Sequence, residues 1–149
     1  MTLSHYRGKA VLLTFIYDHC LDTCPLIVSQ LRNALILLGP RAREVQVIAV
    51  SVDPRGDTPV TVKAFVAARE MTGRMEYLIG SPGQLARVWR VWGIAVRATP
   101  ERRELGRSTL VGHSAVIYGI SARGDVTALY PANLQPRWIA HDVPILAAS

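Results

Sequence analysis

Val11-Leu12-Leu13-Thr14-Phe15-Ile16-Tyr17 runs directly into Asp18-His19-Cys20-Leu21-Asp22-Thr23-Cys24-Pro25, and this junction decides the fold. The first half is apolar and β-rich, which is the signature of a buried strand. Behind the second cysteine, Ile27, Leu31, Ala34, Leu35 and Leu38 recur at helical spacing. A strand therefore ends and a helix begins across a pair of cysteines four residues apart. Near a helix N-terminus, unpaired backbone N–H groups and the positive end of the dipole favour thiolate over thiol, the form that binds metal or attacks a disulfide. Once the helix has begun, residues four apart share a face, so both sulfurs can point at a single ion. Taken alone, the pair suits redox exchange and metal binding equally.

Working outward, Gly39-Pro40 stops the helix, and Val45-Gln46-Val47-Ile48-Ala49-Val50-Ser51-Val52 is a second buried strand. Strand, helix and strand make a β-α-β unit, with parallel pairing and a right-handed crossover. Asp53 to Pro59 forms the next turn, in which Thr58 caps a helix that has Pro59 at its first position. A short strand near Glu76 to Ile79 leads to Ser81-Pro82, a second cap-and-proline start, and to a helix carrying Leu85, Val88, Trp89 and Trp92. The segment from Ala95 to Gly112 is basic, polar and without a sustained period, as expected of a long loop or projecting hairpin. Val116 to Ile120 and Val126 to Tyr130, joined by Ala122-Arg123-Gly124-Asp125, predict an antiparallel hairpin. A last helix is expected after Pro136, limited or kinked by Pro144.

The 149 residues, half of them hydrophobic, suffice for one domain with a sizeable core and no covalent staples. Cys20 and Cys24 are the only cysteines, and the loop they could close is too short for a secreted-protein disulfide framework. The net charge of +6 raises the question of nucleic acid. The arginines are scattered rather than massed, however, and no RNP-like, zinc-finger or helix-turn-helix pattern occurs, so no nucleic-acid partner is expected. No apolar run reaches the roughly 20 residues that span a bilayer, and no signal-peptide core is present. Because Gly8-Lys9-Ala10 leads into the first strand almost at once, an anchor or signal outside this chain is compatible with the sequence.

Three separated motifs occur in order: Cys20-Leu21-Asp22-Thr23-Cys24-Pro25, then Ser51-Val52-Asp53-Pro54-Arg55-Gly56-Asp57-Thr58-Pro59, then His113-Ser114-Ala115-Val116-Ile117-Tyr118. With the order of elements, they resemble the SCO/SenC family of copper-handling proteins from about Tyr6 to Tyr130. The resemblance implies a thioredoxin-like α/β fold, a central mixed sheet flanked by helices, with a loop or hairpin insertion before the late strands. It implies that Cys20, Cys24 and His113 ligate copper as Cu(I), with Cu(II) as a further state. It also implies delivery to the dinuclear copper centre of cytochrome c oxidase, by a monomer that is periplasmic or membrane-associated and faces the periplasm. The chemistry agrees, since two soft thiolates and an imidazole suit Cu(I) and three-coordination leaves the metal accessible for transfer. The alternative is an enzyme, a thiol-disulfide oxidoreductase in which Cys20, nearer the helix start, attacks and Cys24 resolves. A peroxidase shares the fold but lacks the expected threonine and proline around its cysteine.

Two positions depart from the family pattern. Leu21 stands where proline is common, which alters the turn. Gly112 stands where aspartate commonly precedes the histidine, and losing that orienting neighbour bears on Cu(II) more than on Cu(I). His19 is read as a surface or outer-sphere group, and His5 and His141 as structural. Asp53 and Asp57 are read as turn and helix-start residues rather than a metal site. Arg97, Arg102, Arg103 and Arg107 form a solvated loop, or a docking surface for an acidic partner.

Overall fold

The computed structural model describes residues 2–98 and 111–149. The apolar run becomes β1 (Ala10–Ile16), every residue of which is buried. Such a strand must be paired at both edges and covered on both faces, and it is. It lies between the parallel β2 (Val45–Ser51) and the antiparallel β6 (Val116–Ile120), with Phe15 opposite Val50 and Leu13 opposite Tyr118. Adding β3 (Met75–Leu78) and β7 (Val126–Pro131) gives the mixed order β3-β2-β1-β6-β7.

Helix α1 (Thr23–Leu38) crosses from β1 to β2, burying Cys24, Ile27, Val28, Leu31, Ala34, Leu35 and Leu38. It ends at Gly39, whose φ of +54° suits a residue without Cβ. Helix α2 (Pro59–Ala68) is capped by Thr58 and α3 (Pro82–Val91) by Ser81, each with a reciprocal capping box, to Thr61 and Gln84 respectively. The expected starts are thus realised, although α3 stops at Val91 and leaves Trp92 as its cap.

Alternating residues of the central strands serve opposite faces of the sheet. Phe15 and Tyr118 meet the Trp92 ring, at centroid distances of 6.5 and 4.9 Å. Trp89 donates its indole N–H to the Ser51 carbonyl at 3.0 Å, so both tryptophans serve packing as expected. On the other face Gly119 lies under Leu146 of α4 (Pro136–Ala148), which packs against α1. Helix α4 continues through Pro144 to Ala148, so the proline does not end it.

The segment before the late strands departs from the main sheet. Strands β4 (Val96–Ala98) and β5 (Val111–His113) pair antiparallel with each other, with Val96 opposite His113 and Arg97 opposite Gly112. This is the base of the expected hairpin. Arg102, Arg103 and Arg107 lie outside the described residues, while Arg97 is exposed. No helix among the described residues is long and apolar enough to cross a membrane.

Candidate metal centre

The centre sits beyond the carboxyl end of β1, where open α/β sheets commonly bind ligands. Helix α1 begins at Thr23, so Cys24 lies in its first turn and Cys20 in the loop before it. The two sulfurs therefore do not meet as neighbours on a helical face. The loop folds back instead, and the N–H of Cys24 donates to Sγ of Cys20 at 3.4 Å. Asp22, at the N-cap position, makes no side-chain capping bond. One of the N–H groups that a helix start leaves open is thus given to a sulfur.

This arrangement separates the two thiols. Cys20 is held well below the ordinary thiol range, chiefly by a hydrogen bond from the Cys24 side chain, with His113 and the N–H groups of Asp22 and Cys24 adding to it. Cys24 is pushed up, first because it donates to Cys20 and second by burial. The thiolate thus falls on Cys20, although Cys24 occupies the helix start. Both cysteines are buried and form no disulfide.

His113 comes from the opposite edge of the site, at the end of β5. Its Nε2 is 3.5 Å from Sγ of Cys24. Its Nδ1 is 3.1 Å from the Ser114 carbonyl, which can only accept, so Nδ1 carries a hydrogen and the ring is oriented with Nε2 toward the sulfurs. The ring meets Tyr17 edge to face at 5.9 Å. Ser114 is tied to Ala95 in both directions, its N–H donating to the Ala95 carbonyl at 3.2 Å and its hydroxyl accepting the Ala95 N–H at 3.3 Å. The short β4–β5 ladder and this clasp hold the histidine over the pair.

A second set of side chains, in which Asp57 of the second motif joins Asp18 and Tyr77, lies beside the cysteines. The Asp57 carboxylate is buried, accepting the Asp18 N–H on Oδ1 at 3.0 Å and the Tyr77 hydroxyl on Oδ2 at 2.8 Å. Burial pushes Asp57 up to about 6 and also raises Tyr77. The helix cap is Thr58, as expected, and Asp57 precedes it with its side chain turned inward. Asp53 does behave as a turn residue, with Oδ1 accepting the N–H groups of Arg55 and Gly56 at 3.2 and 3.0 Å. His19 faces Asp18, with Nδ1 paired to Oδ1. Leu21, beside Cys20, is 87% exposed.

The sequence of residues 1–148 matches the family described as SCO1/SenC. This chain belongs to that family. Among its relatives, the mitochondrial SCO2 homolog of Bos taurus is 32% identical over 127 residues, covering 84% of this chain and 46% of the relative. SenC of Rhodobacter capsulatus is 30% identical over 136 residues, covering 91% of this chain and 59% of its own length. The chain thus spans about half the length of these relatives. The structure of Bradyrhizobium japonicum ScoI with copper bound superposes with a TM-score of 0.86 at 27% identity, covering 98% of this chain and 90% of that one. The SCO1/SenC chain described here therefore has their thioredoxin-like fold.

Proposed function

We propose that this chain binds one Cu(I) through Sγ of Cys20, Sγ of Cys24 and Nε2 of His113, and passes it on by ligand exchange. The observation that carries this is the approach of Nε2 to Sγ of Cys24 at 3.5 Å, beside a second sulfur, that of Cys20, which accepts the Cys24 N–H at 3.4 Å. Two soft sulfurs and one imidazole are the donors Cu(I) prefers. With three ligands the cargo stays reachable by an incoming thiolate or imidazole. The destination proposed is the dinuclear copper centre of cytochrome c oxidase, with this chain acting as a single domain and a monomer, membrane-associated and facing the periplasm. The copper in the related ScoI structure supports the choice of metal.

A Cu(I) titration of the reduced chain tests the site. One equivalent is expected, lost in Cys20→Ser and Cys24→Ser and weakened in His113→Ala. Unchanged affinity in the histidine variant removes His113 from the site, and no Cu(I) binding by the parent chain overturns the proposal.

A second reading, thiol-disulfide exchange, is favoured by the opposite displacement of the two thiols. In it the Cys20 thiolate attacks a disulfide sulfur of the substrate and expels the partner thiolate. Cys24 then loses its proton and attacks Cys20, releasing the reduced substrate and leaving a Cys20–Cys24 disulfide. Turnover by metal-free protein that needs both cysteines but not His113 supports it.

A further inference from the structure

Asp18 presents an unusual buried charge. Its side chain is only 3% exposed, Oδ1 is paired with Nδ1 of the half-exposed His19, and Oδ2 accepts no hydrogen bond among the described residues. A carboxylate removed from water without donors costs several kcal/mol unless a cation or proton balances it. Around it converge His19 and Asp57, and one donor atom from each of the three lies within 4.8 Å of the others. Asp57 comes from a separate loop, 39 positions along the chain, and is oriented from behind by Tyr77, Ser51 and the Asp18 N–H. That is how outer groups aim the carboxylate ligands of a metal. The His19 side chain is 42% exposed, which opens the cluster to solvent.

We infer that Asp18, His19 and Asp57 form a second metal site, for a divalent first-row cation such as Zn(II) or Cu(II), beside the thiol pair but without sulfur ligands. One imidazole nitrogen and two carboxylates are a harder donor set than two thiolates and an imidazole, so the two sites differ in the ions they select. Drawing the donors in to roughly 2.0–2.2 Å from one ion gives the two buried carboxylates, Asp18 and Asp57, a shared cation, and occupies Asp18 Oδ2, which no donor meets. Asp57, with up to four acceptor positions on its carboxylate, keeps capacity for the ion beyond its three hydrogen bonds.

The test uses the full chain carrying Cys20→Ser and Cys24→Ser, so that failure of Cu(I) binding at the thiols and failure of this second site are read separately. Zn(II) and Co(II) are titrated by calorimetry, and the Co(II) complex is examined by visible absorption. One ion per chain is expected, with d–d bands of nitrogen and oxygen ligation. Adding Asp18→Asn or His19→Gln is expected to weaken it by about 10- to 100-fold or more, since loss even of an outer-sphere partner costs that much. Circular dichroism establishes that both variants are folded. No binding by the cysteine-free chain, with His19 simply protonated against Asp18, overturns the inference; so does binding that neither added substitution weakens.

Discussion

Nε2 of His113 and Sγ of Cys24 lie 3.5 Å apart although 89 positions separate them in sequence. Two independent pieces of backbone meet there: the first turn of α1, and the ladder in which Val96 stands opposite His113. The Ser114 carbonyl holds Nδ1, so the ring cannot turn its other nitrogen away without losing that bond. His113→Ala is expected to weaken Cu(I) binding by about 10- to 100-fold or more, since losing even an outer-sphere partner costs that much, while leaving thermal stability nearly unchanged. Competition with a chromophoric Cu(I) chelator measures the first, and calorimetry the second. His113→Gln is expected to recover little, since an amide is a poor substitute for imidazole toward Cu(I).

The two thiols should react unequally. Because Cys20 is held low by donation from Cys24, a small alkylating agent at neutral pH is expected to label Cys20 first, as mapped by peptide mass spectrometry. Cys24→Ala removes the main donor to the Cys20 sulfur. The pH midpoint of Cys20 alkylation should then move upward, with slower labelling below neutrality. A midpoint that stays in place would sink the assignment of Cys24 as the donor.

Much of this frame was legible before any coordinates. Residues 10–16 are apolar except for Thr14, and a run so poor in polar residues suits a strand buried on both faces, so β1 followed at once. Thr58-Pro59 and Ser81-Pro82 announce their helices because cap and ring chemistry act within four residues. Cys20, Cys24 and His113 could be named from three ordered motifs. The actual contact between the pair could not, because it depends on a loop conformation that gives the Cys24 N–H to a sulfur instead of to Asp22. Asp57 does sit in the turn before the Thr58 cap, its N–H donating to the Asp53 carbonyl at 3.0 Å, but its side-chain partners are not local. Only the tertiary fold turns its side chain inward to Asp18 and Tyr77. The signals in the sequence were the run Asp18-His19 directly before Cys20 and the carboxylates Asp53 and Asp57 on a loop at a strand end.

Gly119 should not accept a side chain. A Cβ there would stand 2.9 Å from Cβ of Ala128, 3.1 Å from the Tyr130 ring and 3.3 Å from Leu146, with none of the three able to move freely inside the core between β6, β7 and α4. Gly119→Ala is therefore expected to destabilise the chain by about 1–3 kcal/mol. For a chain of this length that lowers the melting temperature by roughly 2–4 °C per kcal/mol. Gly83→Ala, at a site with nothing within 4 Å, is the matched control and should not destabilise.

Asp57 gives the metal-free protein a distinctive pH dependence. Its carboxyl is raised from 3.8 to about 6 by burial, so between those values the folded chain binds more protons than the unfolded one. The stabilisation linked to this group is full below about 3.8 and is lost as pH rises through about 6. The difference amounts to at most about 3 kcal/mol. Urea unfolding with a chelator present, at pH 4.5 and 7.5, is expected to show Asp57→Asn losing less stability over that interval than the parent chain. The asparagine gives up one acceptor, either toward the Asp18 N–H or toward the Tyr77 hydroxyl, so a fixed cost at both pH values is expected as well. The slope and not the absolute stability therefore decides, and equal slopes in the two proteins would mean that Asp57 titrates as it does in the unfolded chain.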